Sequence, residues 1–257
     1  MRTALALIPL VLLLCAAAPA QAEAPPTDDP WAAKPVCNFG MPYLGRAVLP
    51  RQAGMITAIL QRVFEPEGVV LRHRAMPYHR AVAEVEQGDI QCTLSIGDAP
   101  PRLLRAAHPV FLYDLAAARL TATEWQGPAS LADKRVAYLH GFDLAAILKV
   151  RLTPQLVYDL SSAFPLLEQG FVAYILGERG LLEAARRDSG LHSHLCVIEP
   201  IRTLPTYPVF APTEAGRAFR DFYDRRMRAL AASGDLAEIL AQSGLSEGLA
   251  RRLLQAQ

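Results

Sequence analysis

The sequence predicts an α/β protein whose strands run mostly parallel, and three observations carry that expectation. Short apolar runs alternate along the chain with stretches whose apolar residues recur at helical spacing. Gly or Pro closes several of the helical stretches just before the next apolar run begins. No two apolar runs are joined by the tight two-residue turn that closes a hairpin. Strand, helix, strand in this order is the pattern of αβ units packed around a parallel sheet.

The first unit begins near Val36. "VCNFG" (Val36 to Gly40) reads as a short strand ended by Gly40 and Pro42. "GMITAILQRVFEPEG" places Ile56, Ile59, Leu60 and Val63 on one helical face before Pro66 and Gly68 stop it. A second strand, "VVLRHRAM", follows, then a helix from Tyr78 to Gln87 closed by Gly88, then the strand "IQCTLSI". The long extended stretch "HPVFLYDLAAARLTA" interrupts the alternation, which restarts at "RVAYL". After it come a helix at "DLAAILKV", a strand at "QLVYDL", a helix from Ser162 to Glu168, the strand "FVAYIL" and a helix from Glu178 to Asp188. The last segment holds the strand "YPVFA", a helix from Glu214 to Ala232, Gly234 and the helix "DLAEILAQSG". Two lobes are expected, with the chain crossing between them twice.

Export is expected from the amino terminus. Arg2, an apolar run from Ala4 to Ala18 and the small-residue pattern Ala20, Gln21, Ala22 form a secretory signal peptide over residues 1–22, cleaved after Ala22. The apolar run is short for a membrane span. Residues 23–33, rich in Pro, Ala and Asp, read as a flexible leader. The whole chain carries 26 basic and 25 acidic residues, so no basic field is available for nucleic acid. Cys15 leaves with the signal peptide, and Cys37, Cys92 and Cys196 meet an oxidising compartment.

Few motifs point to catalysis. There is no nucleophile elbow, phosphate loop or paired-cysteine zinc pattern. His192, His194 and Cys196 alternate in "LHSHLC" and would share one face of a strand, but a metal would want a fourth ligand and none is apparent. No cofactor or metal is expected. The stretch "DIQCTLSIGDAPPR" is more informative. It ends an apolar strand on a turn stiffened by Pro100 and Pro101, followed by Arg102, and ligands of αβ sheets collect outside the carboxyl ends of the strands. A guanidinium there offers a planar fork matched to a carboxylate. Ser95, Gly97 and Asp98 share the turn.

In order and spacing, "GMITAILQRVFEPEG", "MPYHRAVAEVEQGDIQCTLSIGDAPPR", "SLADKRVAYLHGFD", "SSAFPLLEQGFVAYILGERGLLEAA" and "ASGDLAEILAQSG" resemble the bacterial extracellular solute-binding proteins of family 3. These are periplasmic receptors that deliver amino acids and related solutes to ABC importers. The resemblance implies the type II periplasmic binding protein fold, with one lobe from residues 34–118 and 200–257, the other from residues 119–199, and a ligand cleft at the hinge. It implies a monomeric periplasmic protein that captures a small carboxylate-bearing solute and presents it to a permease or a membrane sensor. By resemblance Arg102 grips the ligand carboxylate, Tyr43 stacks on the ligand, and Glu178 pairs with an ammonium. Phe142, Asp143 and Arg80 are further candidate contacts at the rim. Three positions depart from the family pattern: Ala99 stands where a hydroxyl residue is usual, and Phe171 and Ala173 replace the arginine and aspartate of a G-R-x-D motif. Two alternatives stay open, a periplasmic lyase on the same scaffold and a ligand-less accessory partner of a periplasmic enzyme. Cys37 and Cys92, on neighbouring strands in such a fold, are the pair expected close enough to oxidise, although a bridge between adjacent parallel strands would be strained.

Overall fold

The computed structural model describes residues 35–42 and 50–257. The signal peptide, the leader and Tyr43 lie outside the described residues. Among these, the elements are β1 (Val36–Pro42), α1 (Pro50–Phe64), β2 (Val70–Met76), α2 (Tyr78–Gln87), β3 (Cys92–Ile96), β4 (Leu104–Arg105), β5 (Phe111–Leu120) and β6 (Arg135–Leu139). There follow α3 (Leu144–Leu148), β7 (Thr153–Val157), α4 (Ala163–Glu168), β8 (Tyr174–Glu178), α5 (Arg179–Ser189), β9 (Cys196–Phe210), α6 (Glu214–Ser233), α7 (Asp235–Gln242) and α8 (Glu247–Gln255).

The strands form one mixed sheet in the order β2-β1-β3-β9-β5-β8-β6-β7, with β4 beside β9. Pairing is parallel within β2-β1-β3 and within β8-β6-β7, as αβ units require. The two parallel groups are joined through β9 and β5, which are antiparallel to each other and to their outer neighbours. Both αβ groups are thus attached to the same central pair of strands.

Local signals explain the first group. Ile56, Ile59, Leu60 and Val63 of α1 are all buried, and Phe64 stacks on Phe222 of α6 with centroids 5.7 Å apart. That covers one face of β1 and β3. On the other face α2 buries Ala81 and Val85 against Met76, Ile90 and Val209. Gly88, at φ 84°, ends α2 and turns its N–H back onto the Glu84 and Val85 carbonyls. In the second group α4 and α5 bury Phe164, Leu167, Leu181 and Leu182. Burying apolar side chains of this size stabilises by roughly 1.5 to 3 kcal/mol each.

Four elements differ from the sequence reading. The strand expected at Phe171 begins at Tyr174, because the Phe171 and Val172 amides both bond to the Leu166 carbonyl and extend the turn that ends α4. The strand expected over "QLVYDL" ends at Val157, since Asp159 caps a short 3₁₀ turn through the Ser161 amide. The largest difference is β9, a 15-residue strand where "YPVFA" alone reads as extended. Pro200, Pro205 and Pro208 hide it, since proline removes a ladder donor. Pro200 falls at a bulge: Leu115 pairs with Arg202 but Ala116 with Pro200, so Ile201 is the extra residue. The Pro205 and Pro208 carbonyls are used, accepting from Gly97 and Ala106. Finally, α8 escaped the reading, although Ser246 caps it through the Leu249 amide.

Candidate ligand cleft

A cleft opens where β1 and β3 end and the β5/β9 pair passes between the two parallel groups. The strand ends supply Met41 and Pro42 from β1, Leu94 and Ile96 from β3, Phe111 and Tyr113 from β5, and Thr206 from β9. Ile56 of α1 and Tyr78, the first residue of α2, complete one wall, and Phe142, in the turn after β6, supplies the other. These side chains fill most of the space and leave a cavity of about 30 Å³, close to one water's share of liquid volume.

The opposing walls meet ring on ring. Tyr78 and Phe142 stack with centroids 5.2 Å apart and planes 10° from parallel. Gly141 forms the turn that presents Phe142: it adopts φ 98°, which favours glycine, and a Cβ there would be in ordinary contact with Tyr78, 3.6 Å from its amide nitrogen. Next to this pair His79 meets His140 edge to face at 5.3 Å, and His140 stacks on Tyr158 at 5.1 Å.

Polar groups in the cleft are few. The Tyr78 hydroxyl bonds with Ser95, and burial raises its pKa more than that bond lowers it. Burial also pushes the Tyr113 phenol well up, aided by the nearby Glu178 charge and opposed by a hydrogen bond with the Glu178 backbone. Thr206 is 3% exposed, and its hydroxyl has no hydrogen-bond partner among the described residues.

The sequence-derived site residues fall into several environments. Phe142 is in the cleft wall. Ser95 is buried beneath it and donates to the Asp98 carbonyl at 2.8 Å, so the turn is held from below. The Gly97 N–H is already given to the Pro205 carbonyl at 2.8 Å. Asp98 and Arg102 are exposed on the turn past β3, and Arg102 makes no hydrogen bond or ion pair among the described residues. Asp143 is exposed and caps α3, its Oδ1 accepting from the Ala146 amide at 3.0 Å. Glu178 is 4% exposed and caps α5, its Oε2 accepting from the Leu181 amide at 2.9 Å. Arg80 pairs with Glu84 at 2.7 Å and lines a separate groove of about 450 Å³ with Arg72 and Arg74. Sequence reasoning missed Tyr78, Tyr113 and Thr206. Tyr78 had a signal, being the first helical residue after a strand's carboxyl end; Thr206, between two prolines, had none.

No group of three His, Cys, Asp or Glu side chains placed to hold a metal occurs among the described residues. His192 and His194 stack on each other at 5.4 Å, and Cys196 is buried. No described helix is long and apolar enough to cross a membrane.

No protein-family profile and no curated protein sequence matches the chain. Solved structures do match it. A histidine kinase sensor domain with similarity to periplasmic binding proteins superimposes with a TM-score of 0.65 at 14% identity, over 81% of this chain and 96% of that one. An ancestral arginine-binding protein bound to glutamine gives 0.64 at 12% identity, over 82% and 99%. A substrate-binding protein of a Streptococcus pneumoniae ABC uptake transporter, with bound histidine, gives 0.63 at 11%, over 81% and 92%. The fold is therefore that of the periplasmic binding proteins. Within that class the similar structures are substrate-binding proteins of amino-acid ABC transporters and a kinase sensor domain, at identities that establish the fold alone.

Proposed function

We propose that the protein is a periplasmic solute receptor, exported by residues 1–22, that closes on a small carboxylate-bearing solute and presents the closed form to an ABC importer or a membrane sensor. The observation that carries the reading is the Tyr78–Phe142 stack, which joins the two walls of a cleft floored by β5 and β9. In this reading the lobes are residues 34–118 with 200–257 and residues 119–199, and the bulge at Ile201 is where they turn against each other. Arg102, exposed on the turn past β3 with no partner among the described residues, is the group assigned to the carboxylate. The amino-acid-binding proteins of the same fold support a solute-binding role.

Closure requires a ligand that prefers the closed state. A thermal-shift screen over amino acids, dicarboxylates and aromatic acids, followed by small-angle scattering with the best hit at saturation, tests the reading. A raised melting temperature with a smaller radius of gyration is the expected result. No response to any small molecule would favour an accessory protein without a ligand, and product formation during the incubation would favour a lyase.

A further inference from the structure

Resting on the reading of the cleft as a solute site, we infer that the solute's body is a flat aromatic ring, inserted between Tyr78 and Phe142 and carrying a polar substituent that hydrogen-bonds Thr206, so that the ligand class is an aryl acid. Three independent features carry this. First, the cleft walls are carbon: Met41, Ile56, Leu94, Ile96 and Phe111 line it, and an ammonium or a second carboxylate placed among them would be desolvated without compensation. Second, no carboxylate lines the cleft among the described residues: Glu178 and Asp143 cap helices through the Leu181 and Ala146 amides, and Asp98 is exposed on the turn past β3. Third, the Thr206 hydroxyl is buried in the cleft lining with no hydrogen-bond partner among the described residues, an unfavourable state that a ligand atom would relieve.

Ring geometry sets the shape of the solute. The two rings are nearly parallel, so a flat body between them would contact both faces at once. The rings are already in stacked contact with centroids 5.2 Å apart, and a ring inserted between them adds one further layer of ~3.5 Å. Entry therefore requires the walls to separate by that one ring thickness, an opening that lobes hinged at β5 and β9 supply. A branched aliphatic or long charged side chain would have to separate them further and would leave both ring faces poorly covered.

The test uses the whole protein and a fixed panel of probes: benzoate, the three hydroxybenzoates and indole-3-acetate against glutamine, arginine and succinate, each titrated by calorimetry. Aryl acids are expected to bind at least tenfold more tightly than the others. For the tightest aryl acid, Thr206→Val should weaken binding about three- to tenfold, the worth of one hydrogen bond. Phe142→Leu, which keeps the wall apolar but removes the flat face, should weaken it by about the same factor. Both variants are checked for an unchanged near-ultraviolet dichroism spectrum outside the aromatic site and a cooperative melt; if either fails to fold, Thr206→Ser, which keeps the hydroxyl and should retain wild-type affinity, and Tyr78→Leu replace them. Binding of glutamine, arginine or succinate in place of the aryl acids would overturn the ligand class and leave the solute-receptor reading standing. Aryl-acid binding insensitive to both substitutions would place the ligand elsewhere and overturn the inference. Binding of nothing in the panel or in the wider screen would overturn the solute-receptor reading, and this inference with it.

Discussion

The rings of Tyr78 and Phe142 lie parallel to within 10°, 5.2 Å apart, and they reach each other from opposite walls of the cleft. Tyr78 opens α2 directly after β2, and Phe142 follows the turn after β6. The contact is therefore a direct reporter of whether the two walls are together. A double-mutant cycle of Tyr78→Ala and Phe142→Ala, read by urea denaturation, should give a coupling of about 0.5 to 1.5 kcal/mol. Strict additivity would show that the rings do not stack in solution.

The same contact depends on Gly141. Its φ of 98° is a conformation that costs an L-residue about 1 to 2 kcal/mol, while a Cβ there would stand in ordinary contact with Tyr78. Gly141→Ala should therefore lower the melting temperature through backbone strain, and an unchanged melt would show that the turn does not need this conformation.

Arg102 is exposed and unpartnered among the described residues, so Arg102→Ala should change stability by no more than about 0.5 kcal/mol. If it grips a carboxylate, the same variant should lose about 2 to 5 kcal/mol of binding free energy for the solute found in the screen. Unchanged affinity in a folded variant would remove Arg102 from the site.

Asp224 supplies a pH test. Burial lifts its pKa above the ordinary 3.8, against hydrogen bonds from the Ala107 and His108 amides that lower it. An acid whose folded pKa is raised binds its proton more tightly in the native state. Its contribution to stability is present below 3.8 and is lost as the pH rises through the raised folded value. Asp224→Asn, which keeps an oxygen for the Ala107 amide, removes that decline. Urea midpoints of the variant and the parent should diverge in the variant's favour as the pH climbs through this window. Divergence in the opposite direction would mean that the amide hydrogen bonds outweigh burial.

The thiols make a separate prediction. The Cys37 and Cys92 sulfurs are 3.5 Å apart and both residues are buried, while Cys196 is buried at the start of β9, opposite Leu120 of β5. Burial, with Cys37 alongside, raises the Cys92 thiol pKa well above its usual value. Native protein should therefore resist iodoacetamide at pH 8 and react at all three positions only once unfolded. A disulfide joining Cys196 to either of the others would contradict the sheet order.

Some of this was legible before any tertiary structure. Helix α1 is fixed by Ile56, Ile59, Leu60 and Val63, and its end by Pro66 and Gly68; α2 ends at Gly88 for the same local reason. Such features depend on which side chains avoid water within one or two turns of chain, and periodicity records that directly. The parallel pairing within each group followed from the alternation of elements, and the turn at Gly97 and Pro100 followed from its residues.

What the sequence by itself determined is the αβ alternation, the helix ends and the place of the cleft at the strand termini, because each rests on residues near one another in the chain. Only the tertiary structure decided that Cys196–Phe210 is one strand, since three prolines argue against it locally and the pairing of β3 and β5 on its two edges overrides them. It alone decided that the Glu178 and Asp143 carboxylates cap helices, that Thr206 keeps a buried hydroxyl without a partner among the described residues, and that Tyr78 meets Phe142. Those outcomes turn on how segments far apart in the chain close on each other, and side-chain shape and hydrogen-bond satisfaction at such contacts leave no periodic trace in the sequence.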